Sequence, residues 1–212
     1  VYFDFLAANT NYDNYYLRWT LSGPQGDVVT NRPFRASDSY DGTSIFDLGP
    51  GEYTLTVHAP TDTTYAADIT GSYSFRLLDL AVATPLALDT TVSGSFDPAA
   101  ETDVYHFTAK AGQAYFFDVV ARSGGDAYWR LIDPFGRTVF GPSNFNNPTS
   151  SDLGPLTLAY AGEYTLLVES RYYQTAAQTY SLRVNTVNDR SLSLLLGETQ
   201  SEAVTVAGQR DV

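Results

Sequence analysis

The chain has 212 residues, 43% of them hydrophobic, and its 24 acidic against 12 basic side chains leave a net charge of −12. So acidic a surface repels phosphate backbones and anionic headgroups, which excludes nucleic acid and electrostatic membrane attachment. Cysteine is absent, which excludes disulfides and thiolate metal sites, and no apolar run approaches the ~20 residues that cross a bilayer.

In chain order, Tyr2–Ala7 reads as a strand, and Trp19 precedes a Pro24-Gln25-Gly26 turn. Turn pairs follow at Asp41-Gly42 and Pro50-Gly51. In the segment after Gly51, Tyr53, Leu55 and Val57 share one face of a period-two strand. From Ala83 onward the same reading gives strands near 91–96, 103–109, 113–121, 128–133, 137–141, 155–160, 163–170 and 178–187. Their shared phase buries Tyr105, Phe107, Tyr164, Leu166, Val168, Tyr180 and Leu182.

The segments repeat. Gly51-Glu52-Tyr53-Thr54-Leu55-Thr56-Val57 returns 111 residues later as Gly162-Glu163-Tyr164-Thr165-Leu166-Leu167-Val168. Tyr73–Leu77 returns as Tyr180–Val184, Tyr2–Ala7 as Phe116–Ala121, Trp19 as Trp129 before Pro134-Phe135-Gly136, and Asp103-Val104 as Asp211-Val212. Collinear matches with drifting offsets describe a diverged tandem repeat with loop insertions. The fold class expected is all-β: tandem antiparallel β-sandwiches of jelly-roll type, about two repeats of roughly 110 residues. The divisions are 1–82, a first sandwich lacking its opening strands; 83–187, a complete second one; and 188–212, a linker and an opening strand (Ala203–Val206). That strand serves a third repeat or a neighbouring subunit. With Val1 rather than methionine at the start, the chain reads as cut from a longer one or processed.

Ser93-Gly94-Ser95-Phe96, Thr102-Asp103-Val104-Tyr105-His106-Phe107, Trp129–Gly136 and Ala161-Gly162-Glu163-Tyr164-Thr165-Leu166 resemble the bacterial pre-peptidase C-terminal domain. The resemblance implies a β-sandwich module of secreted proteases and large cell-surface proteins. Some relatives bind calcium through an acidic linker before the first strand. Here Leu77–Asp89 holds only Asp79 and Asp89.

No catalytic constellation stands out. A Ser/His/Asp triad needs a histidine beside an exposed nucleophile, and His58 and His106 sit on outward strand faces. Single aspartates in turns, such as Asp133 and Asp152, serve turn geometry rather than glycoside hydrolysis. Calcium is the one cofactor the residues admit, through Asp97, Glu101 and Asp103 on one loop and Asp13 and Asn14 on another. Tyrosine clusters at Tyr12, Tyr15 and Tyr16 and at Tyr172 and Tyr173 suit a protein or sugar interface.

The expected function is a non-catalytic structural or adhesive repeat module of a secreted bacterial surface, matrix or filament protein. Its partners are neighbouring repeats or identical subunits, head to tail, with surface polysaccharide or protein as further candidates. The alternative is a substrate-binding appendage of a secreted hydrolase.

Overall fold

The computed structural model of the protein describes residues 1–10, 16–37, 45–59 and 69–212. Tyr12, Asp13, Asn14, Tyr15 and the Asp41-Gly42 turn lie outside the described residues. The first copy contributes β1 (Tyr2–Thr10), β2 (Arg18–Gly23), β3 (Gly26–Pro33), β4 (Thr54–His58) and β5 (Gly71–Leu78). The second contributes β6 (Thr84–Pro85), β7 (Val92–Phe96), β8 (Thr102–Ala109), β9 (Ala114–Ser123) and β10 (Ala127–Ile132). It continues with β11 (Thr138–Asn144), β12 (Leu153–Thr157), β13 (Gly162–Ser170) and β14 (Gln178–Val187).

All eight strands expected after Ala83 are present, with ends shifted by a few residues. The two-residue β6, too short to show a period, has no counterpart in the sequence reading. It runs parallel to β8, an exception to the antiparallel rule, pairing Thr84 with Tyr105 and Pro85 with His106.

The sheets carry the repeat. The second copy pairs in the orders β11-β10-β13-β8-β6 and β12-β9-β14-β7, the first in the orders β3-β2-β4 and β1-β5. With β2, β3 and β4 matched to β10, β11 and β13, and β1 and β5 to β9 and β14, every pairing of copy one recurs in copy two. Positions equivalent to β7 and β8 are not filled in the copy-one sheets by any described strand.

Individual contacts are duplicated too. Asp4 faces Arg76 in the β1–β5 ladder and Asp118 faces Arg183 in the β9–β14 ladder, each pair closing an ion pair, at 2.6 and 2.9 Å. The Tyr53 hydroxyl donates to the Gly49 carbonyl at 3.0 Å, and Tyr164 donates likewise to Tyr160 at 3.1 Å. Phe34 N–H donates to Leu17 O and Phe145 N–H to Ala127 O. Gly51 and Gly162, at φ 151° and 140°, each lie against the ring of the turn proline, Pro24 or Pro134.

Two compact units result. The first joins residues 1–82 to 96–102 and 169–177; the second holds 83–95, 103–168 and 178–212. Residues 96–102 and 169–177, which lie within the second copy in sequence, group with the first unit, and residues 188–212 group with the second. The core of the first unit is aromatic, with Phe3 stacked 4.1 Å from Trp19 and 5.0 Å from Phe75, and Phe5, Phe34 and Phe46 around them. In the second, Tyr105, Phe107, Tyr164, Leu166, Val168, Tyr180 and Leu182 are all buried, as the period-two phase requires. Trp19 and Trp129 are both fully buried.

Candidate functional site: an open sandwich edge and a buried charge cluster

The histidines are engaged in framework contacts. His58 Nδ1 lies 2.9 Å from the Ala59 carbonyl oxygen, and His106 Nδ1 lies 2.7 Å from Glu163 Oε2. Thr20 Oγ1 lies 3.5 Å from His58 Nε2, but the other ring nitrogen faces a backbone carbonyl and not the carboxylate of a triad.

The three calcium candidates near Asp97–Asp103 do not converge. Glu101 accepts the Asp97 N–H at 2.7 Å through one carboxylate oxygen and holds Arg76 at 3.2 Å through the other. Asp103 instead accepts the Tyr180 hydroxyl. Among the described residues no group of three or more acidic or histidine side chains is arranged to hold a metal. Asp13 and Asn14 lie outside the described residues.

Glu101 belongs to a buried cluster of the first unit. Arg76 Nε and Nη2 donate to Asp4 Oδ2 at 2.9 and 2.6 Å, and the Thr102 N–H donates to Asp4 Oδ1 at 3.0 Å. The Tyr2 hydroxyl reaches Glu169 Oε1 and Thr102 Oγ1, both at 3.1 Å. These bonds explain why 96–102 and 169–177 join the first unit. Burial pushes the Asp4 carboxyl up to about 7, against the lowering pull of Arg76 and Thr102 and with a small push from Glu101. Position and spacing showed the acidic loop, but its partners Asp4, Arg76 and Glu169 are distant in sequence and carry no motif.

Of the tyrosine candidates, Tyr16 is half-buried, Tyr172 packs edge-on against Phe5, and Tyr173 is exposed. The Arg171 guanidinium lies over both Tyr172 and Tyr173, at 5.8 and 5.6 Å, and the two rings meet edge to face. Tyr12 and Tyr15 are outside the described residues.

Among the described strands the two copies also differ at their sheet edges. The copy-one sheet orders end at β4 and β5, where the second copy goes on to β8 and β7. Equivalent side chains register the difference. Tyr73 and Leu77 on β5 are 47% and 49% exposed, whereas the matching Tyr180 and Val184 on β14 are 2% and 0% exposed. Tyr53, Leu55 and Val57 on and before β4 are half-buried, and their matches Tyr164, Leu166 and Val168 are fully buried. An apolar strand edge of this kind presents both unpaired backbone groups and uncovered side chains.

No family model and no curated protein matches the sequence. Three solved structures are similar over 48% of the chain. One is PliG of Aeromonas hydrophila, a periplasmic inhibitor of g-type lysozyme, at 17% identity over 95% of its own length, TM-score 0.35. The second is the pre-peptidase C-terminal domain of a Bacillus anthracis collagenase, at 25% identity over 93% of its length, TM-score 0.33. The third is PliG of Salmonella Typhimurium, at 16% identity over 97% of its length, TM-score 0.33.

Proposed function

We propose that this chain is a non-catalytic structural or adhesive module of a secreted bacterial surface, matrix or filament protein. The observation that carries the reading is the duplication: the ion pairs, tyrosine hydroxyl bonds and proline-glycine contacts found twice are all framework contacts. A repeated framework suits a chain that spaces or links surfaces in series. In this reading the Glu101 and Asp103 carboxylates serve protein partners rather than calcium.

The test is surface display of the chain on cells that do not otherwise adhere, scored for retention on immobilised polysaccharide, matrix protein and sister cells. Retention on any of these without turnover of peptide or glycoside substrates supports the module. Turnover that survives purification to homogeneity overturns it.

The exposed Tyr173 ring favours a second reading, a substrate-binding appendage, because an exposed aromatic side chain suits sugar rings and extended peptides. Specific retention on a polysaccharide or fibrous protein that is lost in Tyr173→Ala would favour it over sister-cell adhesion.

A further inference from the structure

Each copy sets a proline turn opposite the loop that leads into its next strand: residues 23–28 opposite 47–53 in the first, 133–138 opposite 158–164 in the second. The two keep one frame. The Tyr53 and Tyr164 hydroxyls both donate to a loop carbonyl, that of Gly49 or Tyr160, and Pro24 and Pro134 both lie against the glycine of the loop.

What stands between turn and loop differs. In the second copy, Phe135 from the turn and Tyr160 from the loop meet edge to face with centroids 5.1 Å apart. The Arg137 guanidinium lies over both rings, at 5.1 and 4.8 Å, and is tied to Asp133 at 2.7 Å. In the first copy the matching positions hold Gln25 for Phe135, Gly49 for Tyr160 and Gly23 for Asp133, and the residue after the turn glycine is Asp27 rather than Arg137. With both rings and the guanidinium gone, a cleft of about 350 Å³ lies between turn and loop, and every residue lining it is among those described.

The lining defines what the cleft takes. The half-buried Tyr53 packs on the core of the first unit and lies against Gly23, where a Cβ would overlap its ring. Pro24 and Pro50 add two further ring faces, and Gln25, Asp27 and Asp47 are exposed around them. Asp27 accepts the Ser22 hydroxyl through Oδ1 at 2.5 Å, which fixes its carboxylate. No lining residue is basic. Ring faces beside a few polar side chains suit a pyranose, which has an apolar C–H face and a rim of hydroxyls. Two carboxylates in a chain of net charge −12 repel phosphorylated, sulfated and uronic sugars. The volume is near the lower end of the range of about 300–1,000 Å³ for small-molecule sites, which admits one or two sugar rings.

We propose that this cleft binds an uncharged saccharide of one or two pyranose units, seated on Tyr53 and the prolines and hydrogen-bonded by Gln25, Asp27 and Asp47. The second copy carries its own side chains in the equivalent place, so the site belongs to the first. The inference adds a ligand to the module reading but rests on the cleft alone. The two fail separately, since retention of displayed cells on matrix protein or sister cells needs no saccharide site.

The experiment is a nuclear magnetic resonance titration of the 212-residue chain with cellobiose, maltose, lactose and diacetylchitobiose. At least one of them should shift the amides of 23–28 and 47–53 saturably, with an affinity indifferent to added salt. The double variant Gln25→Phe, Gly49→Tyr restores the two rings of the second copy and closes the cleft. A Cβ at Gly49 meets no atom within 4 Å, so the fold accepts the change. This variant should lose the shifts while the rest of its spectrum stays that of the parent chain. Asp47→Ala, at an exposed position, should weaken binding by about tenfold, the size of one hydrogen bond to a charged group. No response to any of the four sugars, shifts confined to other residues, or binding that survives in the closed variant would each overturn the proposal. So would saturable, salt-sensitive shifts of the same amides with hexaarginine and with none of the sugars, which would make the cleft a site for a basic peptide.

Discussion

Asp4 shows how burial and pairing compete at one residue. It is 1% exposed and holds two bonds from Arg76, yet burial raises its carboxyl from 3.8 to about 7. A carboxyl with a raised folded pKa binds its proton more tightly when folded. Its contribution is therefore complete below about pH 4 and lost as pH rises through about 7, with ~1.4 kcal/mol per unit of displacement setting the scale. The melting midpoint of the first unit should fall by several degrees from pH 5 to pH 8. In Asp4→Asn that slope should flatten, which a pH series of melts would read. At Glu101 the expectation concerns metal. Both of its carboxylate oxygens already have partners, so adding calcium should leave the amide resonances of 97–103 unmoved. Shifts there that saturate with calcium would restore the metal reading for this loop.

At the scale of the element, Gly51 before β4 and Gly162 at the start of β13 are constrained by the turn prolines they lie against. The Cβ of an alanine at Gly162 would stand 2.8 Å from Pro134 Cγ, and at Gly51 it would stand 2.3 Å from Pro24 Cγ. Both backbones also have positive φ, where a Cβ is strained. Gly162→Ala should cost about 1–3 kcal/mol in denaturant unfolding, and Gly51→Ala a similar amount in the first unit. Tyr164→Phe, which removes only the hydroxyl bond to Tyr160, should cost about 1 kcal/mol. If the glycine variants were as stable as the parent chain, the turn would not be positioning these strands.

Across the whole molecule, the same sequence pattern gives two different degrees of closure. Among the described strands, β13 and β14 have paired neighbours on both sides, whereas β4 and β5 end their sheets. Backbone amides of 54–58 and 71–78 should exchange with solvent much faster than those of 162–170 and 178–187. Equal protection of the two copies in the isolated chain would mean that the free edges are closed by some other contact.

The strand periods, turns and collinear repeats were legible because they are local: alternation sets which face is buried, and glycine and proline set where the chain turns. The burial of Tyr105 through Leu182 and of both tryptophans follows from that alone. The candidate site was half legible. The repeat frame located the strand pairings that the two copies share, but the opening strand expected at Ala203–Val206 is not a strand in the structure, and the acidic loop read as a solvated or calcium-binding segment until its partners came into view. Asp4, Arg76, Glu101 and Glu169 are brought together by β1, β5, the loop before β8 and the end of β13, far apart in the chain. Only the fold decides such meetings, because a buried charge takes its partner from whatever the packing sets beside it, not from its sequence neighbours. The exposure of matching residues is decided there as well: Tyr180 lies on a strand with described neighbours on both sides and Tyr73 on one with a single described neighbour.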